Sequence, residues 1–152
     1  MAVNQTYFFG DVQCAITGPG GSILVSEGGV AEEGITISMT EDKVSLLMGA
    51  DGTGMFSLHA SNAGRVTIRL LKNSPINRQL MAMYNYQKTS SAYTGQNSIV
   101  LSNPIWGDDH ACENCAFVKL PDNVNAKDGG MMEWAFDSIS IASQLGDGSL
   151  QI

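Results

Sequence analysis

The stretch GRVTIRLLKNSPINRQLMAMYNYQK, residues 64–88, decides the fold class. Its two halves have different periods. From Arg65 to Lys72, Val66, Ile68 and Leu70 alternate with Arg65, Thr67 and Arg69, the pattern of a half-buried strand. Asn73-Ser74-Pro75 then breaks the strand. Ser74 can accept a hydrogen bond from the next free N–H groups, and Pro75 suits a first helical position, where no N–H is needed. Beyond it Ile76, Leu80, Met83 and Tyr84 form one apolar stripe at helical spacing, with Asn77, Arg78 and Asn85 outside it. The helix is expected over about residues 75–88, with Lys88 complementing its C-terminal dipole. No other segment reads as a long helix, so this one is expected to lie on a sheet built by the rest of the chain.

Working outward, Thr6–Thr17 alternates and reads as a strand. Gly18-Pro19-Gly20-Gly21 turns it into a second strand over Ser22–Glu27, closed by Gly28-Gly29. Ile35, Ile37 and Met39 alternate with Thr36, Ser38 and Thr40. Glu41-Asp42 then turns the chain, and Val44, Leu46 and Met48 bring it back, which predicts a hairpin over 34–49. Gly49–Gly54 reads as a flexible turn and 55–62 as loop or weak strand. Beyond the helix, 89–96 reads as loop, Ile99 and Leu101 as strand, and 103–109 as turn and loop. Ala116–Leu120 reads as a strand stopped by Pro121, followed by a polar loop to Gly130. A last strand starts near Met131, with Met132, Trp134 and Phe136 facing one way. Ile139 and Ile141 then carry the apolar phase, so a bulge or bend is expected near Asp137-Ser138. The tail 146–152 is expected to be loose.

The chain has 152 residues, suited to one domain over 1–152, with a net charge of −7 and 17 glycines at turn-like places. That balance disfavours tight nucleic-acid binding. The glycine pattern suits a mainly β protein with many tight turns. The N-terminus lacks a secretory pattern, no apolar run reaches membrane-spanning length, and no membrane insertion is expected. In a cytosol the three cysteines, Cys14, Cys112 and Cys115, are expected to be thiols.

Candidate chemistry is sparse. His110, Cys112 and Cys115 have spacing that would let three soft ligands reach one zinc, but a closed site needs a fourth ligand. A redox reading needs a βαβ context that is absent here. The simpler reading is a pair of small residues at the start of a half-buried strand. The run Gly49–Gly54 lacks the lysine of a phosphate loop, and only Asp51 and Thr53 would serve as calcium ligands. His59 reads as a packed or hydrogen-bonded residue. The carboxylate pairs Glu32-Glu33, Glu41-Asp42 and Asp108-Asp109 read as solvated turns. No catalytic constellation and no cofactor site is expected.

An ordered set of segments resembles a known family. It comprises Gly34–Lys43, Gly49–Gly52, Leu58-His59-Ala60, Gly64–Asn77 with the following helix, Gly95–Asn97, Asn103-Pro104 and Glu133–Phe136. Together they resemble structural proteins of tailed phages and prophages that form the inner tail tube of contractile tails, similar also to the type VI secretion inner tube. The resemblance spans nearly the whole chain, and the cysteine pair departs from it. It implies a small β-barrel or sandwich with one helix, and a non-enzymatic virion subunit, made in the host cytoplasm, whose hexameric rings stack around a DNA-conducting channel. Implied partners are further copies of the chain, tail sheath and baseplate proteins, with DNA passing unbound. Residues expected at ring stacking are Glu41, Asp42, Lys43, Gly49, Asp51 and Gly52. Channel-facing residues would be Thr36, Ser38, Thr40 and Ser45, with Ile35, Ile37, Val44 and Leu46 in the subunit core. A different virion role, such as a baseplate protein, or a small metal or redox module, are the competing readings.

Overall fold

The computed structural model describes residues 6–25 and 30–146, leaving aside the side chains of 30–33. Nine strands and one α-helix are present among the described residues. They are β1 (Gln13–Gly18), β2 (Gly21–Leu24), β3 (Val30–Met39), β4 (Val44–Met48), β5 (Gly54–Leu58), β6 (Gly64–Leu71), α1 (Ile76–Gln87), β7 (Asn97–Asn103), β8 (Asp108–Phe117) and β9 (Met131–Gln144). Seven strands form one antiparallel sheet in the order β2-β1-β7-β8-β9-β6-β3, and β4 and β5 pair only with each other. The main sheet is open, with β2 and β3 as its edges.

The stretch 64–88 folds as its periods dictate. Val66, Ile68 and Leu70 on β6 are fully buried, as are Leu80 and, nearly so, Ile76 and Met83 on α1. Tyr84 packs at the margin of the same core. Ser74 Oγ accepts from the Ile76 N–H at 3.3 Å, so the helix entry is organised at Ser74-Pro75. Under the helix lies an aromatic cluster. The Phe117 ring is 4.4 Å from that of Phe136 and 5.8 Å from those of Trp134 and Tyr84, the last two edge-on.

Two side-chain amides tie the helix to this core. Near its start, Asn77 Nδ2 donates to the Leu71 carbonyl at 2.9 Å, and Asn77 Oδ1 accepts from Trp134 Nε1 at 3.0 Å. Asn77 therefore lies off the apolar stripe yet fastens the helix to β6 and β9. At the other end Gln87 is buried. Its Oε1 accepts from the Phe117 N–H at 2.9 Å and from Asn97 Nδ2 at 3.3 Å.

Several expectations are corrected. The N-terminal strand begins only at Gln13, because Phe9–Asp11 forms a single 3-10 turn in which the Val12 N–H bonds to the Phe9 carbonyl. Gly10 permits that turn: a Cβ there would stand 2.4 Å from the Phe8 ring. Met39 and Ile35 on β3 pair with Gly64 and Ile68 on β6, not with β4. The hairpin is instead β4–β5, turned by Gly49–Thr53, so 54–58 is strand. Alternation defines a strand's faces but not its partner, and both β3 and β4 alternate. The strand after the Trp106 turn starts at Asp108 rather than Ala116 and ends at Phe117. Strand β9 pairs with β8 without a shift; the irregularity falls between β7 and β8, where Asn114 adopts φ 53°. Ser138 is buried and Ile139 exposed, against the expected phase, while Ile141 is buried as expected; Ser138 Oγ donates to the Glu113 carbonyl at 2.7 Å. Residues 26–29 and 147–152 of the expected second strand and tail lie outside the described residues.

Leu80→Ala is expected to cost roughly 2–5 kcal/mol, the range for truncating a buried leucine. Gln87→Ala should cost roughly 1–3 kcal/mol, because it leaves the Phe117 N–H without its partner. Urea unfolding followed by tryptophan fluorescence measures both.

Candidate assembly surfaces

The strand directions give the molecule two different ends. Strand β6 begins at Gly64, where the β4–β5 hairpin returns, and ends at Leu71, where the helix segment begins. Strand β8 runs alongside it in the same sense, since both pair antiparallel with β9. The hairpin and the Asp108–His110 end of β8 therefore share one end of the sheet. The start of α1 and the loop 118–130 share the other.

The hairpin is apolar and uncovered. Cross-strand pairing puts Val44, Leu46, Met48, Phe56 and Leu58 on one face, with Leu47 and Met55 on the other beside Ser45 and Ser57. These seven apolar side chains are 47–76% exposed. Val44 and Leu46, expected in the core, thus stand outside it, while Ile35 and Ile37 pack against it. A lone two-stranded hairpin is marginal in water, and this one is held by polar contacts at both ends. At its base Lys43 Nζ donates to Asn62 Oδ1 at 3.0 Å, and the His59 N–H to the Lys43 carbonyl at 2.8 Å. His59 Nε2 lies 3.3 Å from Ser45 Oγ, a packed and bonded histidine. At its tip Asp51 Oδ1 accepts from Thr53 Oγ1 at 2.7 Å and from the Thr53 N–H at 3.1 Å. Those bonds hold the Asp51 carboxyl below its ordinary value. Glu41, Asp42, Lys43, Gly49, Asp51 and Gly52 thus occupy the base and tip of one projecting element.

The sheet face away from the core is polar and small. Thr36 and Ser38 on β3 lie beside Thr67 and Arg65 on β6, followed by Ala135 and Asp137 on β9. Its two arginines are each matched by an acid. Arg65 Nε lies 2.9 Å from Asp137 Oδ1, and Arg69 Nε 3.5 Å from Glu133 Oε2. Arg69 also donates to Thr36 Oγ1 at 3.0 Å. Thr40 follows the end of β3, bonded through its N–H to the Ala63 carbonyl. Ser45 is not on this face; it belongs to the hairpin. Arg78 is on α1, which covers the opposite face.

The thiols sit in the core rather than at a site. Cys14, Cys112 and Cys115 are all buried, and Cys115 Sγ donates to the Cys112 carbonyl at 3.4 Å. His110 Nδ1 is 2.8 Å from Ser143 Oγ. Among the described residues no group of three or more His, Cys, Asp or Glu side chains is placed to hold a metal ion. Nor is any helix among them long and apolar enough to cross a membrane. Burial pushes the Cys14 thiol up to about 12, helped by Cys112, and the Cys112 thiol to about 11, helped by Cys115.

Solved structures that share this fold include two tube-end proteins. One is the sheath/tube terminator of PVC, an extracellular contractile injection system, in its extended state. It aligns with a TM-score of 0.57 and 15% identity, covering 94% of this chain and 99% of that one. The other is the cap of the anti-feeding prophage, a tube-terminating cap, with a TM-score of 0.53, 13% identity, and coverage of 96% and 95%. No curated protein sequence matches the chain. The fold is thus one found in the tube-end subunits of contractile injection machines. Within that class, residues 4–146 match the family described as Bacteriophage PhiTE tail tube protein, so the chain belongs to the phage tail tube family and is a structural component of a phage tail.

The buried thiols predict an alkaline weakness. Their folded pKa values are raised, so the stability they contribute is complete below the unfolded thiol value near 9 and is lost as pH rises through about 11–12. Each adds a slope of about 1.4 kcal/mol per pH unit within that window. Denaturation midpoints from pH 8 to 11 should fall more steeply for the native sequence than for Cys14→Ala/Cys112→Ala; equal slopes would contradict the assignment.

Proposed function

We propose that this protein is the repeating subunit of the inner tube of a contractile tail, similar to the type VI secretion inner tube, in which hexameric rings of the chain stack around a channel that conducts DNA. The observation that carries the reading is the β4–β5 hairpin: an element apolar on one whole face, whose apolar side chains stand exposed. Burying a fully exposed large apolar side chain is worth roughly 1.5–3 kcal/mol, so five on one face supply enough to hold subunits together. Patches of this kind on soluble proteins mark interaction surfaces. In the proposed assembly the hairpin, with Glu41, Asp42, Lys43, Gly49, Asp51 and Gly52 at its base and tip, reaches the next ring. The open edges β2 and β3 meet neighbours in the same ring, which removes the exposed-edge hazard.

The polar face of the sheet then lines the channel, with Thr36 and Ser38 among its residues. Because Arg65 and Arg69 are neutralised by Asp137 and Glu133, and Asp109 stands exposed on the same side, the wall carries no net positive charge. A basic wall would bind each phosphate with release of counterions and slow the passage of DNA. Sheath proteins would contact the outer, helix-bearing side, and baseplate proteins one end. No chemical step is assigned to the subunit, and no cofactor or metal is needed.

Electron microscopy of purified protein is expected to show rings or tubes of uniform diameter that do not retain duplex DNA at physiological salt. Leu46→Asp/Phe56→Asp should leave folding intact, since both residues are exposed, and should leave the protein monomeric. Unchanged assembly by that variant would overturn the role of the hairpin, and a native protein monomeric at high concentration would overturn the tube.

A further inference from the structure

At the hairpin end of the sheet lies a cavity of about 160 Å³, between the Phe9 turn, β3 and the β7–β8 connection. Tyr7, Phe9, Val12, Ile35 and Leu101 give it apolar and aromatic walls; Ser102, Asn103, Asp108 and His110 are its polar lining. No lysine or arginine contributes. Asp108 Oδ1 accepts from the Gly146 N–H at 2.8 Å, and its second oxygen has no hydrogen-bond partner among the described residues. Asn103 is only 5% exposed, and its Oδ1 has no hydrogen-bond partner.

The geometry points to a lysine side chain of a second copy as the occupant. A water's share of liquid volume is about 30 Å³, so the cavity holds about five non-hydrogen groups, the number a lysine carries beyond Cα. The apolar walls suit its methylene stem. The Asp108 carboxylate and the aromatic rings of Tyr7 and Phe9 suit its ammonium head.

The chain itself offers the donor. Lys43 and Lys72 are held by their own neighbours, Lys72 on the Val124 carbonyl and Asn125, and Lys88 lies 5.4 Å over the Tyr84 ring. Lys119 and Lys127 are exposed and make no hydrogen bond or ion pair among the described residues. Both sit in the loop 118–130, between β8 and β9. That loop follows the far end of β8, while the cavity is at its near end. Ten residues of strand separate the two by about 30 Å, too far for contact within one subunit. Head-to-tail stacking of two copies brings the loop of one onto the cavity of the next. This contact rests on the tube reading and specifies a second anchor beside the hairpin.

The test is the critical concentration for assembly, read by sedimentation. Asp108→Asn keeps an acceptor for Gly146 and removes the charge; it should raise the critical concentration about 10-fold. Lys119→Ala/Lys127→Ala, on an exposed loop, should do the same, and combining the two sets should add little further. Either set assembling as the native chain does, or effects that multiply when combined, would overturn the contact. A titration of native protein held below its critical concentration separates this from failure of the tube itself. With n-butylammonium, the Ile35 and Leu101 methyl resonances should shift saturably, while n-butanol leaves them in place. No saturable shift refutes the cavity's preference even if tubes form, and a shift without tubes refutes the tube alone. If Asp108→Asn does not fold, the lysine variants and the titration decide.

Discussion

Burial of one sheet face under a single short helix is the constraint on which this molecule depends. Four of the seven strands, β6 to β9, present Val66, Ile68, Leu70, Ile99, Phe117, Trp134 and Phe136 to one side, and α1 is the one helix among the described residues that covers them. Its apolar stripe supplies the area, but apolar contact is non-directional. Direction comes from two amides, Asn77 bonded to Trp134 and to the end of β6, and Gln87 bonded to Phe117 and Asn97. They fix where the helix begins and ends over the sheet. With it are fixed the end at which the chain leaves for loop 118–130 and the end from which the hairpin projects.

How legible this was depended on whether a residue's signal was local. The strand and helix of 64–88 could be read because period and turn chemistry agree at each position. The partner of β3 could not. Ile35-Thr36-Ile37-Ser38 alternates as β6 does, and also as Val44–Met48 does, and the nearer strand in sequence was the wrong one. Strand β8 was missed over Asp108–Cys115 because Asp108, Asp109, His110 and Glu113 leave it without an apolar alternation. Gln87 and Asn77 look like ordinary polar helix residues until the carbonyls and N–H groups they satisfy are placed around them. Val44 and Leu46 were assigned inward on the rule that alternating apolar residues seek the core of their own chain. Here that rule fails, because both stand exposed on the β4–β5 hairpin, and the hairpin was therefore the least legible part of the chain.

The cysteines illustrate the opposite error. Cys-x-x-Cys is a conspicuous spacing, yet on β8 it straddles the irregularity at Asn114, with Cys112 and Cys115 both turned into the core. There they act as small apolar side chains, and the spacing reflects how a strand with one extra residue returns to its buried face. His110 is occupied with Ser143. Membership of the tail tube family came from the chain as a whole, through an ordered series of weak features.

The two ends of the sheet bear different groups, and that asymmetry has a consequence for growth. Surfaces that match only when the front of one unit meets the back of another generate a filament with a direction, and such a contact contains no instruction to stop. A body built this way from the present subunit would have no length of its own. Its extent would have to be measured by something else, and its last layer would leave one face unsatisfied. A separate protein of related shape, differing at the surface it presents outward, is the simplest means of ending it.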